Sequence, residues 1–138
     1  MRNICLSLLL TASLATTSCD KENDLGAVDY PAYNQKYELR VQSGGLAGQT
    51  QTYKSGNGNA YLFESSSTYK QYTDGQLSKT GTYKIVSDSS YVLHQPASRI
   101  IFDNAGNGVR TLVRFQSNKM YLQEDVYDGK TVEYEKLN

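Results

Sequence analysis

The sequence STYKQYTDGQLSKTGTYKIV, residues 67–86, holds two β-rich segments joined by a tight turn and shows no helical period. The Asp74-Gly75 pair favours the positive φ angles of a two-residue hairpin turn, and the flanking tyrosines and threonines suit a pleated surface. The same pair of residues recurs at Asp128-Gly129, where we expect a second hairpin. This pattern predicts an antiparallel sheet.

The pairing register of the first hairpin has two solutions. A strict two-residue turn places Lys70 opposite Lys79, and a like-charge pair costs stability. Either the lysine pair faces solvent or Gly75 forms a bulge that shifts the register. The sequence leaves both solutions open.

Alternating apolar and polar residues, bounded by short turn sequences, mark about nine extended segments. These predicted strands are residues 36–42, 60–64, 68–72, 76–86, 90–94, 99–103, 109–116, 119–126 and 130–137. Residues 43–59 contain five glycines and are predicted to form the longest irregular connection. Short connections make sequential strands pair, and a long meander has exposed edges unless it closes. The predicted fold is therefore all-β: a single antiparallel up-and-down meander that closes into a small barrel of about eight to nine strands.

The amino-terminal residues have the layout of an export signal. Arg2 supplies a positive start, and residues 4–10 form an apolar run that is too short to span a membrane. Residues 14–19, LATTSC, resemble a bacterial lipoprotein processing site, in which the cysteine is acylated, by palmitate among others, and cleavage occurs before it. The alternative is a plain secretory signal cut after Ala15 or Ser18.

This interpretation divides the chain into three parts. Residues 1–18 are a lipoprotein signal peptide, residues 19–35 are the lipidated Cys19 and a flexible tether, and residues 36–138 are the barrel domain. Residues 20–24, DKEND, resemble the surface-export signal of lipoproteins from the Bacteroidetes. In enterobacteria an Asp in this place indicates inner-membrane retention instead, and a plain solvated tether explains the same composition. We expect an outer-membrane lipoprotein, surface-exposed in preference to periplasm-facing, whose membrane contact is the anchor at Cys19.

Composition argues against several classes of function. Cys5 leaves with the signal peptide and Cys19 carries the lipid, so the processed chain has no thiol for a disulfide, a metal site or nucleophilic catalysis. Loss of residues 1–18 removes one basic residue from a balanced chain, and a charge of about −1 argues against nucleic acid as a partner. His94 is the single histidine, and no catalytic motif is present. We expect a monomer without cofactor, metal or enzymatic activity.

Two weaker patterns have alternative interpretations. Residues 103–108, DNAGNG, place oxygens at calcium-loop spacing, but Ala105 and Arg114 stand where ligands are needed. A hairpin loop is the favoured interpretation. Arg99, Arg110 and Arg114 can converge on an anionic ligand, or they form a solvated face beside nearby acids.

Several short motifs carry a family resemblance. They are SGGLAG at residues 43–48, STYKQY at 67–72, GTYKI at 81–85 and DVYDG at 125–129. Together they resemble the lipocalin-like domains of Bacteroidetes lipoproteins. The resemblance implies an antiparallel barrel whose interior can hold a small hydrophobic ligand. Lipocalins proper begin their first strand with Gly-x-Trp, and Gln35-Lys36-Tyr37 occupies that place here.

The chain has 12 tyrosines and 3 phenylalanines. Tyrosine rings can line a cavity or offer stacking platforms to a glycan, or they are simply strand residues half exposed to water. The candidate ligand-lining residues are Tyr37, Leu39, Tyr61, Tyr69, Tyr83, Ile85, Tyr91, Leu93, Tyr121 and Tyr134. The sequence thus predicts a lipid-anchored envelope protein that binds a small apolar or amphipathic ligand. The alternative is an accessory surface lipoprotein that contacts protein or glycan through residues 43–59, with the barrel as a scaffold.

Overall fold

The computed structural model describes residues 30–105 and 108–138, and it shows nine β-strands joined by turns. The strands are β1 (Gln35–Gly44), β2 (Gln49–Thr52), β3 (Ala60–Phe63), β4 (Thr68–Thr73), β5 (Gln76–Ser89), β6 (Pro96–Phe102), β7 (Thr111–Gln116), β8 (Lys119–Glu124) and β9 (Lys130–Lys136). No helix in these two ranges is suited to crossing a membrane.

The sheet closes on itself. Strand β1 pairs with β3, strands β3 to β9 pair with their neighbours in order, and β9 returns to β1, always antiparallel. Strand β2 is an addition to this ring of eight strands. It pairs with the second half of β1, on the side where β3 pairs with the first half. The prediction of an all-β antiparallel meander that closes into a small barrel is confirmed.

The hairpin at Asp74-Gly75 forms as predicted, with φ angles of 49° and 80°. A bulge at Ser78 then shifts the register, so that Lys70 pairs with Thr80. The like-charge pair is therefore avoided by a bulge, although the bulge lies in β5 and not at Gly75.

Strands β8 and β9 form the second predicted hairpin, but the prediction of a two-residue turn at Asp128-Gly129 is wrong. Strand β8 ends at Glu124, and neither Asp128 nor Gly129 has a positive φ angle. The connection spans residues 125–129, in which the Gly129 N–H donates to the Val126 carbonyl at 3.0 Å. Asp125 is the first residue of this connection, and its carboxylate binds another segment, as described below.

Two strand assignments also need correction. Residues 90–94 form a turn between β5 and β6, in which the His94 N–H donates to the Ser90 carbonyl at 3.0 Å. Tyr91 and Leu93 were predicted to belong to a strand, but a hydrogen bond from the Leu93 N–H to Ser90 Oγ favours the turn. Conversely, β2 forms inside residues 43–59, because backbone pairing with β1 needs no apolar side chains.

Aromatic rings fill the interior of the barrel. Phe63 and Met120 are completely buried, and further side chains from all eight ring strands pack around them. The Phe63 ring lies 4.9 Å from that of Tyr83, and the Tyr69 ring lies 4.8 Å from that of Phe102, both edge to face. Such pairs add stability beyond the area they bury. The interior is thus a packed aromatic core.

Candidate functional site

A cleft of about 460 Å³ lies in the barrel wall, between the end of the β5–β6 hairpin and strands β7 to β9. Its lining is mostly apolar, with several hydroxyl and amide groups. The hairpin contributes Ser87, Ser90, Leu93, Gln95, Pro96, Ala97 and Ser98, and the strands contribute Leu112, Val113, Arg114, Tyr121, Gln123 and Thr131. We call this feature the wall cleft.

The wall cleft exists because the ladder between β6 and β7 is short. These strands pair from Ser98 to Ile100, opposite Val113 to Thr111. At the start of β6, Pro96 has no N–H to donate to a neighbouring strand. Beyond Val113, β7 remains paired with β8 as far as Gln116, whereas no further β6–β7 pair is present among the described residues.

Most of the cleft lining contributed by β7 and β8 lies on the outer face of the barrel. Val113 and Phe115 of β7 belong to the core, so the alternating residues Leu112 and Arg114 face outward. Leu112 is nevertheless only 8% exposed, and it lines the cleft together with Leu93 of the turn. The turn thus provides apolar surface that the strands alone lack.

A buried carboxylate holds this turn in place. Asp125 accepts hydrogen bonds from Ser90 Oγ at 2.6 Å and from the Tyr91 and Val92 N–H groups at 2.8 and 3.4 Å. Burial acts to raise the pKa of Asp125, but these hydrogen bonds outweigh it and lower the pKa. The ionised carboxylate therefore attaches the turn at residues 90–94 to the end of β8.

The three arginines near the cleft do not converge on one point. Arg99 Nε and Arg110 Nη2 lie 3.0 and 3.1 Å from Asp88 Oδ2, so both have an acidic partner. Arg114 lies apart, with its guanidinium 4.5 Å from the centroid of the Tyr121 ring. Among residues 30–105 and 108–138, no carboxylate pairs with Arg114.

A second buried carboxylate secures residues 53–59 in the same way. Glu38 accepts hydrogen bonds from the Gly56 and Gly58 N–H groups at 2.9 and 3.0 Å and also pairs with Arg40. Burial acts to raise the pKa of Glu38, but these partners lower it overall. Glu38 thus stabilises the connection between β2 and β3.

Most of the predicted ligand-lining residues lie on the inner face of the barrel. These are Tyr37, Leu39, Tyr61, Tyr69, Tyr83, Ile85 and Tyr134. Burial, with a smaller effect of neighbouring tyrosines, raises the pKa of Tyr83 to about 12, and its hydroxyl donates to the Ser65 carbonyl at 2.7 Å. The inner tyrosines are therefore packed against one another and uncharged at neutral pH.

Of the other three predicted residues, two line the wall cleft, and Tyr91 lies outside its lining, in the turn at residues 90–94. Leu93 and Tyr121 line the cleft, and Tyr91 stacks on Arg110, whose guanidinium lies 3.6 Å from the ring centroid. Tyr91 is 64% exposed. The structure thus separates the predicted set into a core group and a group at or beside the cleft.

Sequence reasoning missed the cleft as a site, although one signal pointed to it. Leu112 and Val113 are adjacent apolar residues in a strand, so one of them must face outward. An outward apolar residue needs a cover, and here the cover includes the turn at residues 90–94. The carboxylate contacts of Asp125 were not foreseen because they join segments far apart in sequence.

Asp103, the first residue of the segment for which a hairpin loop was favoured over a calcium site, has structural partners. Asp103 accepts hydrogen bonds from the Thr82 N–H and the Tyr69 hydroxyl, each at 2.9 Å, and pairs with Lys79. In the parts of the chain that the structure describes, no three His, Cys, Asp or Glu side chains form a group that could hold a metal ion. Gly106 and Asn107 lie outside the described residues. So do residues 1–29, which include the predicted signal peptide and Cys19, the predicted lipidation site.

No protein-family profile, curated protein or solved structure matches this chain. The fold therefore defines its class: a small closed β-barrel of eight antiparallel strands with one added strand and an aromatic core. This architecture is compatible with a lipocalin-like domain.

Proposed function

We propose that this protein is a lipid-anchored, lipocalin-like binding protein of the cell envelope, and that it holds a small amphipathic ligand in the wall cleft. The observation that carries the proposal is the cleft itself. Its volume of about 460 Å³ is within the usual range for small-molecule sites, and it combines apolar walls with a few polar groups. Binding at such a site needs no covalent chemistry.

The packed interior supports placing the ligand in the wall. A ligand in the lumen would have to displace rings that already contact one another, such as Phe63 and Tyr83. Dense interiors resist such insertion, because repacking costs stability. The inner tyrosines, in this proposal, form a scaffold that holds the cleft in shape.

The binding proposal is tested by native mass spectrometry of the protein purified from its own source. A small molecule that remains bound, and that is lost when the cleft is blocked by Ala97→Trp, supports it. Repeated recovery of protein without any bound molecule, in preparations that keep the native fold, contradicts it.

The proposed location rests on the amino-terminal sequence. Acylation at Cys19 would attach the barrel to the outer membrane, with the residues before β1 as a tether and the surface-exposed side favoured. Incorporation of labelled palmitate that disappears in Cys19→Ala supports the anchor, and protease treatment of intact cells distinguishes a surface from a periplasmic location. We further propose that the barrel acts as a monomer, and its near-neutral charge disfavours nucleic acid as a partner.

An accessory surface role is the second candidate function, and residues 43–59 favour it. Leu46, at the tip of the β1–β2 turn, is 96% exposed, and all four residues of β2 are exposed. Strand β2 pairs with β1 alone, and an unpaired strand edge can receive another chain. A photo-crosslinker at Leu46 would capture a partner protein in cells, whereas the same group at Ser117 would not.

A further inference from the structure

We propose that the ligand of the wall cleft is a small amphiphile with a single carboxylate, and that Arg114 binds this group. The inference rests on the proposed binding function and specifies its ligand. Arg114 is the single charged residue in the cleft lining. A site with one positive charge and no negative charge favours a monoanion over a cation or a neutral molecule.

The guanidinium of Arg114 lies against an aromatic ring, and no salt bridge to it is present among the described residues. It lies over the Tyr121 ring, 4.5 Å from the ring centroid. The N–H groups point out from the edge of a guanidinium, and this edge matches the two oxygens of a carboxylate. Within the described ranges, no carboxylate competes for Arg114, in contrast to Arg99 and Arg110, which share Asp88.

The rest of the lining specifies the body of the ligand. Leu93, Pro96, Ala97 and Leu112 supply apolar surface, and Tyr121 adds an aromatic face. A cleft of about 460 Å³ accommodates a short chain or one or two rings. The geometry therefore points to a small carboxylic acid with a compact apolar part.

Three probes of nearly equal shape test this inference: 4-phenylbutyrate, the neutral amide 4-phenylbutanamide and the cation 4-phenylbutylamine. Each is titrated into the purified full chain, and amide chemical shifts report where it binds. We expect shifts at Leu93, Leu112 and Gln123, with the carboxylate binding about tenfold more tightly than the amide and the amine weakest. This factor is the low end of what a charge-assisted hydrogen bond contributes.

Arg114→Gln is the decisive variant. Arg114 is exposed, so we expect this protein to fold normally, and its carboxylate affinity should fall to that of the amide. Lys84→Gln removes the same charge from an exposed position outside the cleft lining and should leave all three affinities unchanged.

The possible outcomes separate this inference from the proposed function. Equal binding of carboxylate and amide at the cleft, unchanged in Arg114→Gln, overturns the inference and leaves the proposed function intact. Binding of the carboxylate at residues away from the cleft also overturns it. Failure of all three probes at millimolar concentration to shift any cleft residue contradicts both, and the native mass spectra would then contain no bound molecule.

Discussion

The interior of the barrel and the wall cleft are both lined by apolar and aromatic residues, but the interior is filled and the cleft is open. In the interior, side chains from all eight ring strands meet, and Phe63 and Met120 have no exposed surface. At the cleft, the ladder between β6 and β7 stops at Ser98, and a turn held by Asp125 lies nearby. Continuous pairing produces a closed core, whereas an interrupted ladder produces a cavity in the wall.

This difference shows that the number of strands alone does not decide where a small barrel can bind. Eight strands enclose an interior that side chains can just fill or that can hold one small ligand. Here large rings occupy it, with the Tyr61 ring 5.5 Å from that of Phe102 and 5.4 Å from that of Tyr134. The cavity that could hold a ligand therefore lies in the wall and not in the interior.

The largest expected effect comes from emptying the interior. Phe63→Ala removes a completely buried ring from the centre of the core, and we expect it to reduce the free energy of unfolding by about 3–5 kcal/mol. Urea denaturation followed by circular dichroism measures this. Leu77→Ala, at a side chain that is 54% exposed, should change the stability by less than about 0.5 kcal/mol. Similar losses in both variants would mean that the interior is not tightly packed.

A smaller effect is expected at the carboxylate that holds the turn. Asp125→Asn weakens the hydrogen bonds from Ser90, Tyr91 and Val92, which should cost about 1–3 kcal/mol. Hydrogen exchange of the Tyr91 and Val92 amides should accelerate, while the amides of β3 and β4 keep their protection. Asp128→Asn, an exposed carboxylate nearby, is the matched control and should leave these rates unchanged.

Acid should loosen the wall segments before the core. The folded state lowers the pKa values of Glu38 and Asp125, so their contribution is complete above the unfolded pKa values of about 4. This stabilisation is lost as the pH falls below about 4 and through the lower pKa values that the two carboxyl groups have in the folded state. Amide exchange measured from neutral pH to below pH 4, corrected for the intrinsic rates, should show Gly58 and Tyr91 losing protection ahead of Phe63. Simultaneous loss at all three sites would argue against local attachment.

The smallest effect on stability is expected at the cleft surface. Leu93 is 56% exposed, so Leu93→Ser should change the free energy of unfolding by less than about 0.5 kcal/mol. The same variant removes apolar lining from the cleft and should weaken 4-phenylbutyrate binding several-fold. A titration and a thermal melt on one sample compare the two effects. A large loss of stability would show that Leu93 belongs to the core.

The sequence predicted the ring but not the cleft, and the physical reasons differ. Alternation along the strands and the Asp74-Gly75 turn are local signals, and local signals were enough to predict a closed meander. The β2 strand was missed because its residues, QTQT, carry no apolar pattern. Its pairing with β1 depends on the backbone.

The misassigned residues 90–94 show the opposite error. The sequence Tyr-Val-Leu at residues 91–93 is typical of a strand, but the Ser90 hydroxyl and the distant Asp125 carboxylate stabilise a turn there. Contacts between residues 35 positions apart are not visible in a local pattern. The cleft depends on this turn, and so it too was beyond prediction.

Strand β2 lies beside the eight-stranded ring and contributes nothing to its closure. The tip that joins it to β1, around Leu46, is consequently a place where extra residues can be accommodated without breaking a ring hydrogen bond. An epitope inserted after Leu46 would therefore be displayed on a folded barrel. Antibody labelling of intact cells carrying such an insertion would test whether the barrel is exposed at the cell surface.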